Sequence, residues 1–123
     1  MKRIMLLSLL LFVLTACASG GAGGDPAETV ERYLQGKIDG SRETVQALLC
    51  AEMERNLDRE AASFSGVDAR IEGMDCTFDE ASSTAACTGE IIATYGTEAR
   101  SFPLSTYRVV QEGGEWTWCG EGG

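Results

Sequence analysis

The sequence predicts an α+β fold in which two to three N-terminal helices pack on the concave face of a curved, four-stranded antiparallel meander sheet, giving a cone-like shape. Two observations carry this prediction. Apolar residues recur at helical spacing up to residue 64, and from residue 67 to the end they alternate with a period of two. Glycine, small polar and acidic residues separate the alternating segments at short intervals, which is typical of antiparallel strands joined by turns.

Capping residues and apolar stripes define the helices. Asp25 and Pro26 are favoured at a helix N-cap and first helical position, and Gly40 is favoured just after a helix end. Ser41 can cap a second, shorter helix. A third helix, or a continuation of the second, has apolar residues at helical offsets: Cys50, Met53, Leu57, Ala61 and Phe64. Its other side is charged and predicts a solvent-exposed face: Glu52, Arg55, Asp58, Arg59 and Glu60.

Four strands are predicted after the helices. The alternation of the first strand changes phase near Gly73, where a bulge would join its two halves. The third strand runs from Arg100 to Gln111, and Pro103 within it indicates a sheet edge or a bulge. Gly113 and Gly114 predict a tight hairpin into the last strand.

Composition limits the chemistry of this chain of 123 residues, which is long enough for one small domain. It contains no histidine, so Ser-His-Asp, Cys-His and His-zinc sites cannot form within it, and no cofactor or metal is expected. Loss of Lys2 and Arg3 with a signal peptide leaves 8 basic against 19 acidic residues, a formal charge of −11. This balance argues against binding to nucleic acid, and we interpret it as a solubilising surface rather than an acidic docking surface.

Residues 1–16 are predicted to be a lipoprotein signal peptide. Two basic residues precede an apolar run of about ten residues, which is too short to span a membrane. The run ends in Leu14-Thr15-Ala16-Cys17, which resembles the bacterial lipobox. The resemblance implies that Cys17 receives a diacylglyceryl group and becomes the new N-terminus.

Lipidation of Cys17 implies an extracytoplasmic protein of the bacterial cell envelope, held at a membrane by acyl chains rather than by charge. Residues 17–25 comprise the lipidated cysteine and a flexible Gly/Ser-rich tether, and residues 26–121 form the domain. The cysteine count also favours lipidation of Cys17, because it removes one of five cysteines and leaves an even four for disulfides. The alternative is an incidental thiol at the end of an ordinary signal peptide.

The domain resembles small bacterial lipoproteins of unknown function in the nuclear-transport-factor-2-like (cystatin-like, SnoaL-like) superfamily. The resemblance rests on helices followed by a long bent meander, on the Glu-Thr-Val-Glu-Arg-Tyr-Leu segment at residues 28–34, on Leu48-Leu49-Cys50 and on the terminal Trp-x-Trp-Cys. In that fold the sheet curls into a cone whose open end often forms a ligand pocket. Relatives that are isomerases or dehydratases use an Asp with Tyr or His, and none of their catalytic motifs is matched here.

The four remaining cysteines allow three disulfide pairings. A first hairpin turn centred on residues 81–82 places Cys76 opposite Cys87, where adjacent strands are close enough for a bridge. That leaves Cys50, at the end of the helical half, for Cys119 on the last strand. Structural disulfides are favoured over a redox pair or a metal site because the chain has no Cys-x-x-Cys motif and no histidine.

Three functions compete for this domain. The preferred one is a non-catalytic binding or accessory module that holds a small apolar ligand or a protein partner, with these candidate pocket residues: Tyr33, Tyr95, Tyr107 and Trp118. The first alternative is a His-free isomerase- or dehydratase-like enzyme that uses a buried carboxylate beside a tyrosine. The carboxylates on its predicted strands are Asp68, Asp75 and Glu90. The second alternative is a homodimer formed through the sheet, with Trp116 and Trp118 on one face, although core positions are favoured for both.

Overall fold

The computed structural model describes residues 24–122, in which three helices precede five antiparallel strands. The α+β class predicted from the sequence is therefore confirmed. The helices are α1 (Pro26–Asp39), α2 (Arg42–Leu48) and α3 (Leu57–Ala61), with a 3₁₀ turn at Ala51–Asn56. The strands are β1 (Asp68–Asp79), β2 (Thr84–Tyr95), β3 (Glu98–Pro103), β4 (Thr106–Glu112) and β5 (Glu115–Glu121). The predicted signal peptide, the predicted lipidation site Cys17 and most of the tether lie outside the described residues.

α1 begins and ends where its capping residues predict. The side chain of Asp25 accepts a hydrogen bond of 2.9 Å from the Ala27 N–H, and Pro26 takes the first helical position. Gly40 adopts the left-handed conformation, with a φ of 68°, that ends many helices. The buried face of α1 carries Val30, Tyr33 and Leu34 into the core.

The third predicted helix is shorter than the apolar spacing indicates. The segment after Cys50 forms the 3₁₀ turn first, and only Leu57–Ala61 is α-helical. Tertiary contacts explain the difference: the Cys50 N–H donates to the Trp118 carbonyl at 2.9 Å, and the next N–H, of Ala51, donates to the Glu112 carboxylate at 3.1 Å. These contacts hold the start of the segment against the sheet, so a continuous helix cannot begin there.

The strands form one sheet in the order β1-β2-β4-β5, and β3 pairs with the far half of β2. Along β2, Thr84–Ala86 pair with β4 and Glu90–Tyr95 pair with β3. The predicted third strand is therefore two strands, and the sheet has five strands instead of four. The break between β3 and β4 follows Pro103, which has no N–H to donate. The next N–H, of Leu104, donates to the Gly89 carbonyl at 2.9 Å.

A bulge bends β1 where its alternation changes phase. The register with β2 shifts between Glu72 and Asp75, around Gly73, as the sequence predicts. Gly89 lies opposite the bulge with a φ of 103°, and a Cβ there would lie 2.6 Å from the Glu72 and Gly73 carbonyl oxygens. Only glycine fits this close approach, so the bend is set by two glycines facing each other across the hairpin.

The helices cover one face of the sheet, and the core lies between the two layers. Its most completely buried large side chains come mainly from α1 and α2: Val30, Tyr33, Leu34, Val45 and Cys50. From the sheet, Ala85, Ile91, Tyr107, Val109 and Trp118 point toward the helices. Trp116 also lies on this side, half-buried, with its ring 5.3 Å from that of Phe78.

Two disulfides join parts of the fold that are distant in sequence. Cys50 is bonded to Cys119 across 69 residues, and Cys76 to Cys87 across 11. The long bridge fastens the end of the helical half to β5, and the short one lies within the β1–β2 hairpin at directly paired positions. On the chain-entropy model, loops of these lengths stabilise the fold by about 4 and about 3 kcal/mol.

The described segment holds a continuous core and a complete set of paired strands. All strand pairings described above, the core and both disulfides lie within residues 24–122. Across these residues, every helix falls short of the length and apolar character needed to cross a bilayer.

Candidate functional site

A cavity of about 350 Å³ lies between the helices and the sheet. This volume is within the range of small-molecule pockets. Its lining from the helical side comprises Leu34, Lys37, Met53, Glu60 and Phe64. Its lining from the sheet comprises Ile91, Phe102, Pro103, Leu104, Tyr107, Trp118, Gly120 and Glu121. Most of these side chains are apolar or aromatic, and only three carry a charge.

Trp118 forms the inner wall of this cavity. Its ring is 4% exposed and stacks on Tyr33, with 4.0 Å between ring centroids and 10° between planes. The Tyr107 ring lies 6.0 Å from it on the neighbouring strand. These contacts join α1 to β4 and β5 through aromatic rings, which gives the cavity a rigid wall.

The indole N–H of Trp118 is an unusual feature of this wall. It is buried and has no hydrogen-bond partner among the described residues. A buried donor without a partner costs roughly 1–3 kcal/mol. The indole ring is held in place by its contacts with Tyr33 and Tyr107.

A small polar network lies beside the aromatic wall. One carboxylate oxygen of Glu60 accepts a hydrogen bond of 2.6 Å from the Tyr33 hydroxyl and an ion-pair contact of 2.9 Å from Lys37 Nζ. The Glu60 and Lys37 side chains are only 14% and 22% exposed. The Lys37 ammonium also lies 5.8 Å from the centroid of the Trp118 ring, within the range of a cation–π contact. Of the two carboxylates in the lining, Glu60 is thus paired with a lysine of the same cavity.

Burial and Glu60 together fix the protonation of Tyr33. Desolvation raises the pKa of the phenol far above its usual range, and the hydrogen bond to Glu60 and the charge of Glu60 raise it further. Tyr33 is therefore a neutral hydrogen-bond donor wherever the domain is folded. It holds Glu60 in place and does not provide a phenolate.

Tyr107 has a similar but weaker constraint. Burial raises the pKa of the Tyr107 phenol, and the negative charge of Glu121 raises it further. The Ser105 N–H, which donates to the phenol oxygen at 3.1 Å, lowers this pKa. The phenol consequently stays protonated.

The structure brings together some of the candidate pocket residues named from the sequence. Tyr107 and Trp118 line the cavity, and Tyr33 lies directly behind Trp118. Tyr95 does not reach it: this side chain is 40% exposed at the end of β2, where Arg100 lies 5.5 Å from its ring. Two of the four candidate residues therefore line the cavity, a third supports its wall, and the fourth lies outside it.

The strand carboxylates considered as catalytic bases lie elsewhere. Asp68 and Asp75 are exposed, and Glu90 is hydrogen-bonded to the Ser101 hydroxyl. Each of the three alternates with residues that face the helices, so each lies on the outer face of the sheet. None of them lines the cavity.

Glu60 is the residue that the sequence interpretation missed. The prediction that its helix face is solvent-exposed is correct for Asp58 and wrong for Glu60. The sequence offers one hint, because Glu60 follows the apolar Leu57 by three residues and both lie in α3, which places them on one side of the helix. That spacing alone does not separate a buried acid from an exposed one.

The four cysteines of the described segment are consumed by the two disulfides, in the pairs named from the sequence: Cys50 with Cys119 and Cys76 with Cys87. Glu52 lies near the first pair, 3.6 Å from Cys119 Sγ. Disulfide sulfurs are not thiolates, so this small group does not have the ligand chemistry of a zinc site.

Two solved structures share this fold. A "putative ketosteroid isomerase" from Shewanella frigidimarina NCIMB 400 aligns with a TM-score of 0.51 and 15% identity over 77% of this chain and 91% of its own. A de novo designed β-sheet protein solved by NMR aligns with a TM-score of 0.50 and 17% identity over 80% of this chain and 91% of its own. The chain therefore has the nuclear-transport-factor-2-like cone fold, as expected from its sequence. No protein-family model and no curated protein match the sequence.

The Tyr33 phenol predicts a specific pH dependence of stability. Unfolded tyrosine ionises near pH 10, whereas folded Tyr33 keeps its proton, so above about pH 10 the folded state binds one more proton than the unfolded state. The buried Tyr33 phenol therefore contributes fully to the free energy of unfolding below pH 10. Above pH 10 this contribution falls by up to about 1.4 kcal/mol per pH unit. The free energy of unfolding, measured with urea between about pH 8 and 11, should fall less steeply for Tyr33→Phe than for the wild type.

A matched control separates this effect from general alkaline destabilisation. Tyr95→Phe removes an exposed phenol, and its free energy of unfolding should fall with pH as steeply as that of the wild type. Tyr33→Phe should also cost about 2 kcal/mol at pH 8, because it removes a hydrogen bond to a charged carboxylate. Equal slopes for Tyr33→Phe and the wild type would contradict the assignment of a protonated, buried phenol.

Proposed function

We propose that this domain is a non-catalytic binding module that holds a small, mainly apolar molecule in the cavity between its helices and its sheet. The observation that carries the proposal is the cavity lining: aromatic and aliphatic side chains surround a carboxylate, Glu60, whose charge Lys37 balances and to which Tyr33 donates a hydrogen bond. Apolar lining with a few fixed polar groups is the usual composition of a small-molecule site.

Catalysis by a general base is less well supported. A base must have a lone pair free for the substrate proton, and a pKa near neutrality helps it. One oxygen of the cavity carboxylate Glu60 is occupied by Tyr33 and Lys37 together. The other cavity carboxylate, Glu121, is exposed beside Tyr107, so neither is the buried, unpaired carboxylate that this alternative requires. An isomerase- or dehydratase-like activity would rest on the shared fold alone, at 15% identity to the Shewanella protein.

A homodimer formed through the sheet is also less well supported. Both tryptophans that could have formed an apolar outer patch face the helices. Polar and charged residues such as Arg70, Glu72 and Asp75 occupy the outer face of β1 instead. Sheet dimers bury an apolar face, so this surface is better suited to water.

The proposal includes attachment of the domain to a bacterial envelope membrane through a lipid on Cys17. The lipobox-like Leu14-Thr15-Ala16-Cys17 supports it, as does the disulfide pairing of the four other cysteines, which leaves Cys17 as the odd cysteine of the chain. A short tether would keep the cavity close to the bilayer surface, where apolar small molecules are concentrated.

Native mass spectrometry tests ligand binding directly. Residues 24–123, purified from an oxidising periplasm, should carry added mass that denaturation removes. Phe102→Asp should abolish the adduct, because it places a carboxylate at the cavity mouth on a side chain that is already 40% exposed and tolerates a polar replacement.

The control is Tyr95→Asp, which changes a side chain of equal exposure outside the cavity and should retain the adduct. A wild-type domain with no adduct, even after incubation with hydrophobic small molecules, would count against the binding function.

Lipid attachment has its own test. Expressed with its own N-terminus in a bacterial host, the wild-type chain should partition into the membrane fraction and gain acyl mass on its N-terminal peptide. Cys17→Ser should lose that acyl mass, while Ser19→Ala, a change two residues away, should keep it. Wild-type protein without acyl mass would exclude the anchor.

A further inference from the structure

The β4–β5 hairpin contains an irregularity that changes the cavity wall. The register of β4 with β5 shifts between Tyr107 and Val109, and on the facing strand Gly120 adopts a φ of 94°. After this shift, Glu121 is paired directly with Tyr107, so the two side chains share a face of the sheet. Regular alternation from Trp118 would have placed Gly120 on that face and Glu121 on the other. The bulge therefore turns a carboxylate toward the cavity.

Glu121 reaches the cavity and has no ion-pair partner in the part of the chain that the structure describes. It lines the cavity together with Lys37 and Glu60, and those two neutralise each other at 2.9 Å. Within residues 24–122, none of the ion pairs involves Glu121. The lining thus carries one net negative charge, and that charge belongs to an acid at the exposed end of the wall.

Four aromatic rings border the same space: Phe64, Phe102, Tyr107 and Trp118. The Phe64 and Phe102 rings meet edge to face at 6.4 Å, and Phe102 is 40% exposed at the mouth. Aromatic faces next to a carboxylate are the environment in which proteins bind ammonium groups. The cavity already holds one cation in this way, since the Lys37 ammonium contacts Glu60 and lies 5.8 Å from the Trp118 ring centroid.

From this arrangement we infer that the ligand of the proposed binding function carries one positive charge, as a protonated or quaternary amine on an apolar body, and that Glu121 at the Gly120 bulge is its counter-ion. This inference rests on the proposed function, because it assigns the charge of the molecule held in that cavity. An anionic ligand would meet a lining whose single cation, Lys37, is already paired with Glu60 and whose net charge is negative.

Three probes of similar size separate the charge classes. Benzyltrimethylammonium is the cation, neopentylbenzene is its uncharged isostere, and phenylacetate is an anion. Binding to residues 24–123 is followed by NMR, through the indole N–H signals of Trp116 and Trp118. We expect the cation to bind at least about fivefold more tightly than the neutral isostere, with chemical shift changes at Trp118, and the anion to bind most weakly.

The variant Glu121→Gln tests the counter-ion. It should reduce affinity for the cation about fivefold and leave affinity for the neutral isostere unchanged. Its matched control is Glu115→Gln, an acid of the same strand outside this cavity, which should change neither affinity.

The outcomes distinguish the two proposals. Equal binding of the cation and the isostere, or tighter binding of the anion, would overturn the inference while leaving the apolar binding function in place. An unchanged cation affinity in Glu121→Gln would overturn the assignment of the counter-ion. No binding of any probe would count against the binding function itself.

Discussion

The position of Trp118 is the constraint on which the rest of the structure depends. Its ring stacks on Tyr33 of α1 at 4.0 Å, and its carbonyl accepts the Cys50 N–H, while the next residue, Cys119, is bonded covalently to Cys50. Aromatic packing, a backbone hydrogen bond and a disulfide thus converge on two adjacent residues of β5. Together they fix how far the helical layer lies from the sheet, and therefore how much space remains between them.

That spacing determines the chemistry of the cavity. Because α1 is held against Trp118, Lys37 one turn after Tyr33 reaches both the indole face and Glu60. The ion pair and the Tyr33 hydrogen bond satisfy a carboxylate that would otherwise be costly to bury. The result is a site in which Glu60 is paired with Lys37 and Tyr33, whereas Glu121, in the same lining, has no ion pair within residues 24–122.

Sequence patterns predicted those features that depend on local chemistry. The caps of α1 at Asp25 and Gly40, the bulge at Gly73 and the hairpin at residues 113–114 follow from residue type. The inward turn of Glu60, the break after Pro103 and the shift at Gly120 depend on contacts between segments distant in sequence. A charged residue on a short helix is normally solvent-exposed, and only the opposing Tyr33 and Lys37 reveal that Glu60 is not.

The most direct test of this account is the free energy of unfolding of Trp118→Ala compared with Trp116→Ala, measured with urea on the disulfide-bonded domain. The two side chains have the same chemistry and lie two residues apart on one face, but Trp118 is buried and stacks on Tyr33, whereas Trp116 is half-buried. We expect Trp118→Ala to cost about 3–5 kcal/mol and Trp116→Ala less than half of that. An equal or larger loss for Trp116→Ala would contradict the central role of Trp118.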